Sequence, residues 1–255
     1  MITSKTNPKI KNVVKLQKSS ERREQNRIII EGRREIERAV TCGFVIDTLF
    51  KCNDIVKESV NIKANIVEEV TFEVFEKIAY REGSDGLLAV AIPKYADLKD
   101  FKPKKNPLIV VLETVEKPGN LGAIMRTADA AGVDAVIIAD PRTDLFNPNA
   151  IRASIGTIFS VPLFACSSEE CIKWLRENDI KIYCTYLKAS IDYLEADFRQ
   201  GSAIVMGTEA TGISDTWVEA ADQNLIIPMN GIADSLNVSV TTAIVVFEAI
   251  RQRRM

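Results

Sequence analysis

The sequence contains no histidine among its 255 residues. This absence excludes every nucleophile paired with histidine, every histidine-ligated zinc ion and the commonest general base of enzymes. The five cysteines are odd in number and none forms a Cys-x-x-Cys pair, so the sequence predicts neither a disulfide framework nor a zinc ribbon. We expect free thiols buried in the core, and no metal site.

Long hydrophobic runs are also missing. The longest apolar stretches, such as AIVVF at 243–247, are far shorter than the roughly 20 residues of a membrane span. Residues 1–17 lack the apolar core of a secretory signal. From the lack of both features we expect a cytoplasmic protein. With 46% hydrophobic and 27% charged residues, the composition is ordinary for a globular protein with a sizeable core.

Charge is unevenly distributed along the chain. Residues 1–106 carry 21 Lys and Arg against 16 Asp and Glu, an excess of five positive charges. Residues 107–255 carry 12 against 19, an excess of seven negative charges. A basic front half favours a polyanionic partner. A solvated helix with Glu-Arg pairs, as in SSERREQNR at 19–27, explains the same charges equally well.

The composition of residues 94–107 predicts a linker, because two prolines and five lysines stand there between two strand-like runs. We therefore predict a front domain at 1–95, a linker at 96–106 and a second domain at 107–255. In the front domain, helical and strand-like patterns alternate, with one helix closed by Gly43 and another opened by Thr71. This alternation predicts a small α/β sandwich.

The second domain contains continuous apolar runs separated by helical segments. The runs lie at 108–112, 135–139, 181–186, 203–207 and 224–228. Runs that are apolar on both faces predict the buried strands of a parallel sheet covered by helices. Ligands of such sheets bind beyond the carboxyl ends of the strands, where the loops 113–132, 207–212 and 229–239 are expected to converge. Neither G-x-G-x-x-G nor a P-loop follows the first run, which disfavours a dinucleotide or nucleoside triphosphate.

Four segments together resemble a known family. In chain order they are NLGAIMRTADAAG (120–132), NPNAIRASIGTIFSVP (147–162), MGTEATGIS (206–214) and IIPMNGIADSLNVSVTTAI (226–244). They are similar to the motifs of the SpoU (TrmH-type) branch of the SPOUT RNA methyltransferases. RIIIEGRREIERAV at 27–40 resembles the L30e-like RNA-binding domain that many members carry in front.

The resemblance implies an α/β fold. Its C-terminal SPOUT parallel-sheet domain would contain a deep trefoil knot, preceded by a smaller L30e-like α/β/α domain. The implied enzyme is a homodimer, joined through the C-terminal domain, that transfers a methyl group from S-adenosylmethionine to a ribose 2′-hydroxyl of structured RNA. Ribosomal RNA is favoured over tRNA by the reach of a long front domain. A tRNA 2′-O-methyltransferase, a non-catalytic RNA-binding module and an oxidoreductase on a doubly wound sheet are the alternatives.

The resemblance also implies functional residues. The implied catalytic residues are Asn120, Arg126, Glu209, Ser235 and Asn237. The implied cofactor-binding residues are Gly207, Ile227, Met229 and Leu236. Arg126 is expected to hold a substrate phosphate, while Glu209 or that phosphate accepts the proton. Physically, the polar residues around Leu236 also suit the N-cap of the apolar helix that follows.

Cations of the front half and one of the second domain are the expected RNA-binding residues. They are Lys5, Lys9, Lys11, Arg22, Arg23, Arg33, Arg34 and Arg152.

Overall fold

The structure, a computed structural model, describes residues 1–81, 83–188, 190–208 and 211–255. The chain forms two compact units. Unit 1 consists of Met1–Lys94 together with Asp144–Ser160, and unit 2 consists of Tyr95–Thr143 together with Val161–Met255. None of the helices in these described ranges is both long and apolar enough to cross a membrane.

The helices are α1 Pro8–Lys15, α2 Ser19–Gln25, α3 Arg33–Thr41, α4 Phe72–Ile78, α5 Pro118–Ala131, α6 Pro148–Ala153, α7 Ser168–Glu177, α8 Asp215–Ala220 and α9 Val238–Arg253. The strands are β1 Ile28–Glu31, β2 Val45–Lys51, β3 Ile66–Glu69, β4 Leu87–Ile92, β5 Leu108–Glu113, β6 Ala135–Ala139, β7 Leu163–Cys166, β8 Lys181–Thr185, β9 Ile191–Asp192, β10 Ser202–Met206 and β11 Gln223–Ile226.

Unit 1 is built on a four-stranded sheet with the order β1-β4-β2-β3. Strands β2 and β3 are parallel, and the other neighbours are antiparallel. Ile29 of β1 joins a core with residues of α1 and α4 on one face of the sheet. Ile28 and Ile30 point to the other face and are also buried, and α3 and α6 contact β1. The unit is therefore an α/β sandwich, as the alternating pattern predicts, with the α/β/α layers that the resemblance implies.

The segment Asp144–Ser160 belongs to unit 1, although the sequence places it within the domain at 107–255. Its aromatic residues pack on the front unit: Phe44 contacts Phe146 and Phe159 edge to face, with ring centroids 5.6 and 4.8 Å apart. Arg38 donates a hydrogen bond to the Ile155 carbonyl at 2.5 Å. This inserted segment supplies α6, which completes one layer of the sandwich.

A buried ion pair connects the inserted segment to α2. The side chain of Arg22 is only 3% exposed and its Nε donates to Asp144 Oδ2 at 2.7 Å. Its Nη1 donates to the carbonyls of Leu16 and Gln17, at 2.8 Å each. Because these bonds occupy a buried guanidinium, Arg22 is structural and cannot offer its charge to a phosphate. We therefore remove it from the expected RNA-binding residues.

Unit 2 contains a seven-stranded sheet with the order β7-β6-β5-β10-β8-β11-β9, and all neighbouring strands are parallel. The five apolar runs form β5, β6, β8, β10 and β11, as predicted. Strands β7 and β9 lie at the two edges and were not predicted. Strand β7 has four residues and β9 has two, and some of their side chains are partly exposed. Strands this short do not show a periodic hydrophobic pattern.

The segment predicted as a linker is part of unit 2. Leu98 lies in a 3-10 turn and is buried in the unit 2 core. Phe101 packs on Phe164 and Trp174, with ring centroids 5.1 and 5.9 Å apart. Residues 96–106 are thus anchored by apolar contacts, although their composition is that of a connecting loop.

The five cysteines are free thiols, as the sequence predicts. Cys52, Cys171 and Cys184 are buried, and the other two are half-buried. Burial disfavours the thiolate and raises the pKa of Cys184 to about 12. Such a thiol is unreactive near neutral pH, which fits a role in packing.

The buried ion pair gives a stability prediction. Arg22→Ala leaves the Asp144 carboxylate and two carbonyls without their donor, and we expect unfolding free energy to fall by about 3–5 kcal/mol. Urea denaturation followed by far-UV circular dichroism measures this loss. Arg23→Ala, at the exposed neighbouring position, is the matched control and should change stability by about 0.5 kcal/mol or less. Equal effects of the two substitutions would contradict a structural role for Arg22.

Candidate functional site

The carboxyl ends of β5 and β10 lie side by side in the unit 2 sheet, where Leu112 is paired with Met206. From β5 the chain forms β6 and then β7 on one side of β5. It then crosses to the other side of β5, where β10, β8, β11 and β9 lie. Ligands of open parallel sheets bind where the strand order reverses in this way. The topology therefore places a candidate site beyond Leu112 and Met206.

A cleft of about 370 Å³ opens at this position. Apolar side chains from β5, β10 and α9 line it together with polar groups from the segments that follow β5 and β10. The lining residues are Leu112, Glu113, Val115, Glu116, Lys117, Asn120, Met206, Gly207, Thr208 and Val238. Two carboxylates against one ammonium group give the lining an excess of negative charge.

Glu113 ends β5 and is 6% exposed. Its Oε2 accepts a hydrogen bond from the backbone N–H of Ser214 at 2.9 Å. A hydrogen bond to a buried carboxylate is stronger than one between neutral groups. Glu113 therefore fastens the end of β5 to the chain that follows the 207–212 loop.

The backbone folds back closely over Gly207. Thr208 and Gly212 exchange backbone hydrogen bonds of 2.8 and 3.1 Å. A Cβ at Gly207 would lie 2.3 Å from the carbonyl carbon and oxygen of Gly212. Glycine is required here because any side chain would collide with the Gly212 backbone, while the expected role of Gly207 in cofactor binding stays a prediction. Glu209 lies outside the described residues, so its expected role stays a prediction.

Asn237 has two roles at the start of α9. Its Oδ1 accepts hydrogen bonds from the Ser239 N–H at 2.9 Å and the Ser239 hydroxyl at 2.6 Å, so it is the N-cap. Its Nδ2 donates to Asn120 Oδ1 at 3.3 Å. The cap thereby joins α9 to the first turn of α5, and the structure brings together two of the expected catalytic residues.

The other expected residues of unit 2 lie on α5 and in the segment between β11 and α9. Arg126 is exposed on α5, and Ser235 and Leu236 are exposed just before Asn237. Ile227 and Met229 are half-buried in the segment that follows β11. Within the described ranges, none of these five side chains belongs to the cleft lining. Of the expected residues, the cleft itself contains Asn120 and Gly207.

Several lining residues were missed by the sequence analysis, namely Glu113, Glu116, Lys117, Thr208 and Val238. For Glu113 the sequence contains a usable signal, since a carboxylate that ends a buried apolar strand lies at the ligand-binding edge of a parallel sheet. Val238 has no such signal, because it is one apolar residue among many at the start of a helix.

The expected RNA-binding cations of unit 1 fall into two groups. Lys5, Lys11, Arg23 and Arg152 are exposed to solvent and form no ion pair with a carboxylate among the described residues. Those in ion pairs are Lys9 with Glu68, Arg33 with Glu37 and Glu58, and Arg34 with Glu35. The side chains of the first group can bind a phosphate directly. Those of the second group must first give up their carboxylate partners.

In the described part of the chain, no group of three or more His, Cys, Asp or Glu side chains is arranged to hold a metal ion.

Two protein families match the chain, each over one region. Residues 107–247 match the SpoU rRNA Methylase family. Residues 7–89 match the MRM3-like substrate binding domain. The first region contains every residue of the cleft, and the second contains most of the unit 1 sheet.

Individual relatives resemble the chain over nearly its full length. The 23S rRNA (guanosine(2553)-2′-O)-methyltransferase RlmP of Bacillus subtilis is 29% identical over 96% of this chain and 97% of its own. A crystal structure of an RNA 2′-O ribose methyltransferase has a TM-score of 0.89 at 38% identity, covering 100% of this chain and 99% of that one.

An AdoMet-bound rRNA methyltransferase from Sinorhizobium meliloti has the same TM-score of 0.89 at 32% identity, and the likeness covers 98% of this chain and 97% of that one. The resemblance drawn from the four motifs is therefore confirmed. With a cleft at the carboxyl ends of a parallel sheet and a family match over more than half of its length, the chain belongs to the SpoU rRNA methylase family.

Proposed function

We propose that this protein transfers a methyl group from S-adenosylmethionine to a ribose 2′-hydroxyl of ribosomal RNA. The observation that carries the proposal is the cleft beyond β5 and β10, whose lining residues all lie within the region that matches the family. Relatives of nearly the same length are named as 23S rRNA 2′-O-methyltransferases, and those of solved structure include an AdoMet-bound form. Since its substrate is RNA, we place the protein in the cytoplasm.

The lining fits S-adenosylmethionine in chemistry. Leu112, Val115 and Met206 offer apolar surface, and Gly207 brings the main chain close without a side chain. Glu113 and Glu116 offer negative charge to a ligand with a positive sulfonium and a positive ammonium group. We propose that these residues, with Ile227, Met229 and Leu236 from the neighbouring segments, hold the cofactor. When bound, the cofactor supplies a methyl group that is already strongly electrophilic.

The protein's own residues must orient the RNA and manage one proton. We propose that Arg126, which is exposed on α5, holds a phosphate of the substrate and stabilises the charge that develops on the ribose oxygen. Asn120 and Asn237 fix the geometry between α5 and α9, and Ser235 faces the ribose. A guanidinium remains charged at working pH, so the proton is assigned to Glu209 or to the substrate phosphate.

We propose that residues 1–95 form the RNA-binding domain and residues 107–255 the methyltransferase domain, joined by 96–106. Residues 144–160 then belong to the methyltransferase domain in sequence but are part of unit 1 in the structure. We also propose that the methyltransferase domain is knotted. In support, α9 follows β11 and yet packs against α5 and β10, so the chain must return across the sheet.

The test of the proposed function is transfer of labelled methyl from S-adenosylmethionine to unmodified ribosomal RNA and tRNA, compared side by side. We expect label in ribosomal RNA, recovered in alkali-resistant dinucleotides, which identify 2′-O-methylation. Label confined to tRNA would favour the alternative substrate, and cofactor affinity without transfer to any RNA would favour a non-catalytic RNA-binding module.

The same assay tests Arg126. We expect Arg126→Ala to lower kcat by about 10²–10³-fold, as does the loss of one donor to a developing oxyanion, with cofactor affinity little changed. Arg126→Lys should recover only part of the activity, because lysine lacks the planar guanidinium fork. Lys173→Ala, at an exposed position on α7, is the control for charge loss. Full activity of Arg126→Lys with unchanged RNA affinity would contradict the assigned role.

A salt titration tests the RNA-binding surface of unit 1. Replacing the exposed residues Lys5, Lys11 and Arg23 by glutamine should weaken RNA binding. The dependence of log K on log salt should become shallower, by about 0.7–0.9 for each lost phosphate contact. Glutamine at Lys173 and Lys181, both exposed in unit 2, provides the control. An unchanged slope in the unit 1 variant would remove this surface from RNA recognition.

We propose a homodimer that forms through the C-terminal domain. Val240 and Phe247 are each 47% exposed on α9 and, being seven residues apart, lie on the same side of the helix. Leu236, 39% exposed, precedes the same helix. An exposed apolar row of this kind is typical of a surface that another protein covers.

Sedimentation equilibrium tests the dimer. The wild-type protein should have twice the mass of one chain, and Phe247→Asp should shift it to the monomer because a charge is costly in an apolar interface. Leu194→Asp, at a position of similar exposure elsewhere in unit 2, should leave the dimer intact. A monomeric wild-type protein would refute the proposal, as would equal effects of the two substitutions.

A further inference from the structure

A second cleft, of about 290 Å³, lies wholly in unit 1, between α1, the end of α2 and the sheet. Its lining combines apolar side chains with amides, a hydroxyl and charged groups. The lining residues are Lys9, Asn12, Val13, Gln25, Arg27, Asp47, Thr48, Phe50 and Val90. Among them only Lys9 is an expected RNA-binding residue, and the proposed methyl transfer uses none of the others.

A β-bulge shapes this cleft. Ile46 pairs with Ala91 and Thr48 pairs with Val90, so Asp47 is an extra residue in β2. Adjacent residues of a regular strand point to opposite faces, but here both Asp47 and Thr48 line the same cleft. Bulges of this kind re-aim side chains and are common beside functional sites. The bulge thus directs a carboxylate into a space that has an apolar floor.

The carboxylate of Asp47 is weakly engaged. Within the described ranges its one hydrogen bond is with Arg27 Nε at 3.5 Å, which is long for such a bond. Both side chains are about one-third exposed. Beside them, Asn12 Nδ2 donates to Gln25 Oε1 at 3.0 Å, and Lys9 at the entrance pairs with Glu68. Arg27 Nη1 donates to the carbonyl of Asn26 at 3.0 Å. The cleft therefore presents to a ligand the weakly engaged carboxylate of Asp47 and the remaining N–H groups of the Arg27 guanidinium.

We propose that this cleft binds the base of one unstacked guanine in RNA. Sequence-specific proteins read RNA mainly at unpaired bases, which they hold by the hydrogen-bonding edges. Guanine differs from the other bases in having two adjacent donors, N1–H and N2–H, on its Watson–Crick edge, and a carboxylate accepts both at once. The Arg27 guanidinium beside Asp47 donates to the acceptor O6, as arginine does with guanine in DNA.

The remaining lining groups fit the same ligand. Val13, Phe50 and Val90 form an apolar floor for the flat face of the base. Lys9 at the rim lies on α1 with the exposed cation Lys11, so backbone phosphates of the same RNA meet positive charge. This inference rests on the proposed function in that it takes the partner of unit 1 to be RNA. It adds a base-specific contact to the sequence-independent attraction of the surface cations.

The first experiment uses the full-length wild-type protein and labelled single-stranded heptamers of uridine with G, A, C or inosine at the centre, or U throughout. Fluorescence anisotropy measures the affinities. We expect the G heptamer to bind about tenfold more tightly than those with A, C or U, within the range known for bidentate base contacts. Inosine lacks the 2-amino group and should lose most of this advantage. Equal binding of G and inosine heptamers would overturn the carboxylate contact.

The second experiment uses Asp47→Asn, which keeps the shape of the side chain but replaces one acceptor oxygen by a donor. We expect the preference for G to fall to within about twofold, while affinity for the uridine heptamer remains. Glu76→Gln, at an exposed position on α4, is the matched control and should keep the preference. A preference that persists in Asp47→Asn would overturn the inference.

Methyl transfer assayed on the same wild-type preparation separates this inference from the proposed function. Transfer to RNA without any preference for the G heptamer would refute the guanine site and leave the proposed function intact. A guanine preference that disappears in Asp47→Asn, in a protein that transfers no methyl group, would support the site and refute the methyltransferase. Absence of binding to every heptamer would overturn the guanine site whatever the transfer result.

Discussion

The parallel pairing of β5 with β10 is the interaction on which the candidate site depends. These strands are distant in sequence, yet Met206 at the end of β10 pairs with Leu112, the next-to-last residue of β5, and the strand order reverses there. Helices that leave the ends of such strands diverge, and the space between them is open to a ligand. The cleft, the glycine turn over Gly207 and the contact of Glu113 with Ser214 all follow from this pairing.

Polar residues at the start of α9 illustrate how one side chain serves both stability and function. A helix N-terminus has unpaired N–H groups, and Asn237 satisfies one of them through Oδ1. Its amide nitrogen donates to Asn120. Capping and site formation are therefore compatible roles for this residue. Glu113 also has two roles, because it lines the cleft and accepts a hydrogen bond from the Ser214 N–H.

The two units divide the proposed work by charge. The front half of the chain carries the positive excess suited to RNA, whereas the cleft of unit 2 has an acidic lining suited to a cationic cofactor. Burial decides which of the positively charged residues can contact RNA. Arg22 has the same charge as Arg23, but its ion pair with Asp144 makes it part of the core, while Arg23 faces solvent. Net charge thus indicates the class of partner and leaves the contacting residues to the fold.

The sequence by itself determined five of the seven strands of the parallel sheet, the sandwich of the front unit, the free cysteines and the family, because hydrophobic runs and ordered motifs are local patterns. Only the tertiary structure decided that Asp144–Ser160 packs with unit 1, that Leu98 and Phe101 are anchored in unit 2, and that Val238 and Thr208 share a cleft. The sequence also gave no sign that Asp47 and Thr48 line one cleft, since a bulge is defined by pairing with β4. Such contacts join residues that are far apart in the chain, and their geometry is set by the packing of whole elements rather than by any local pattern.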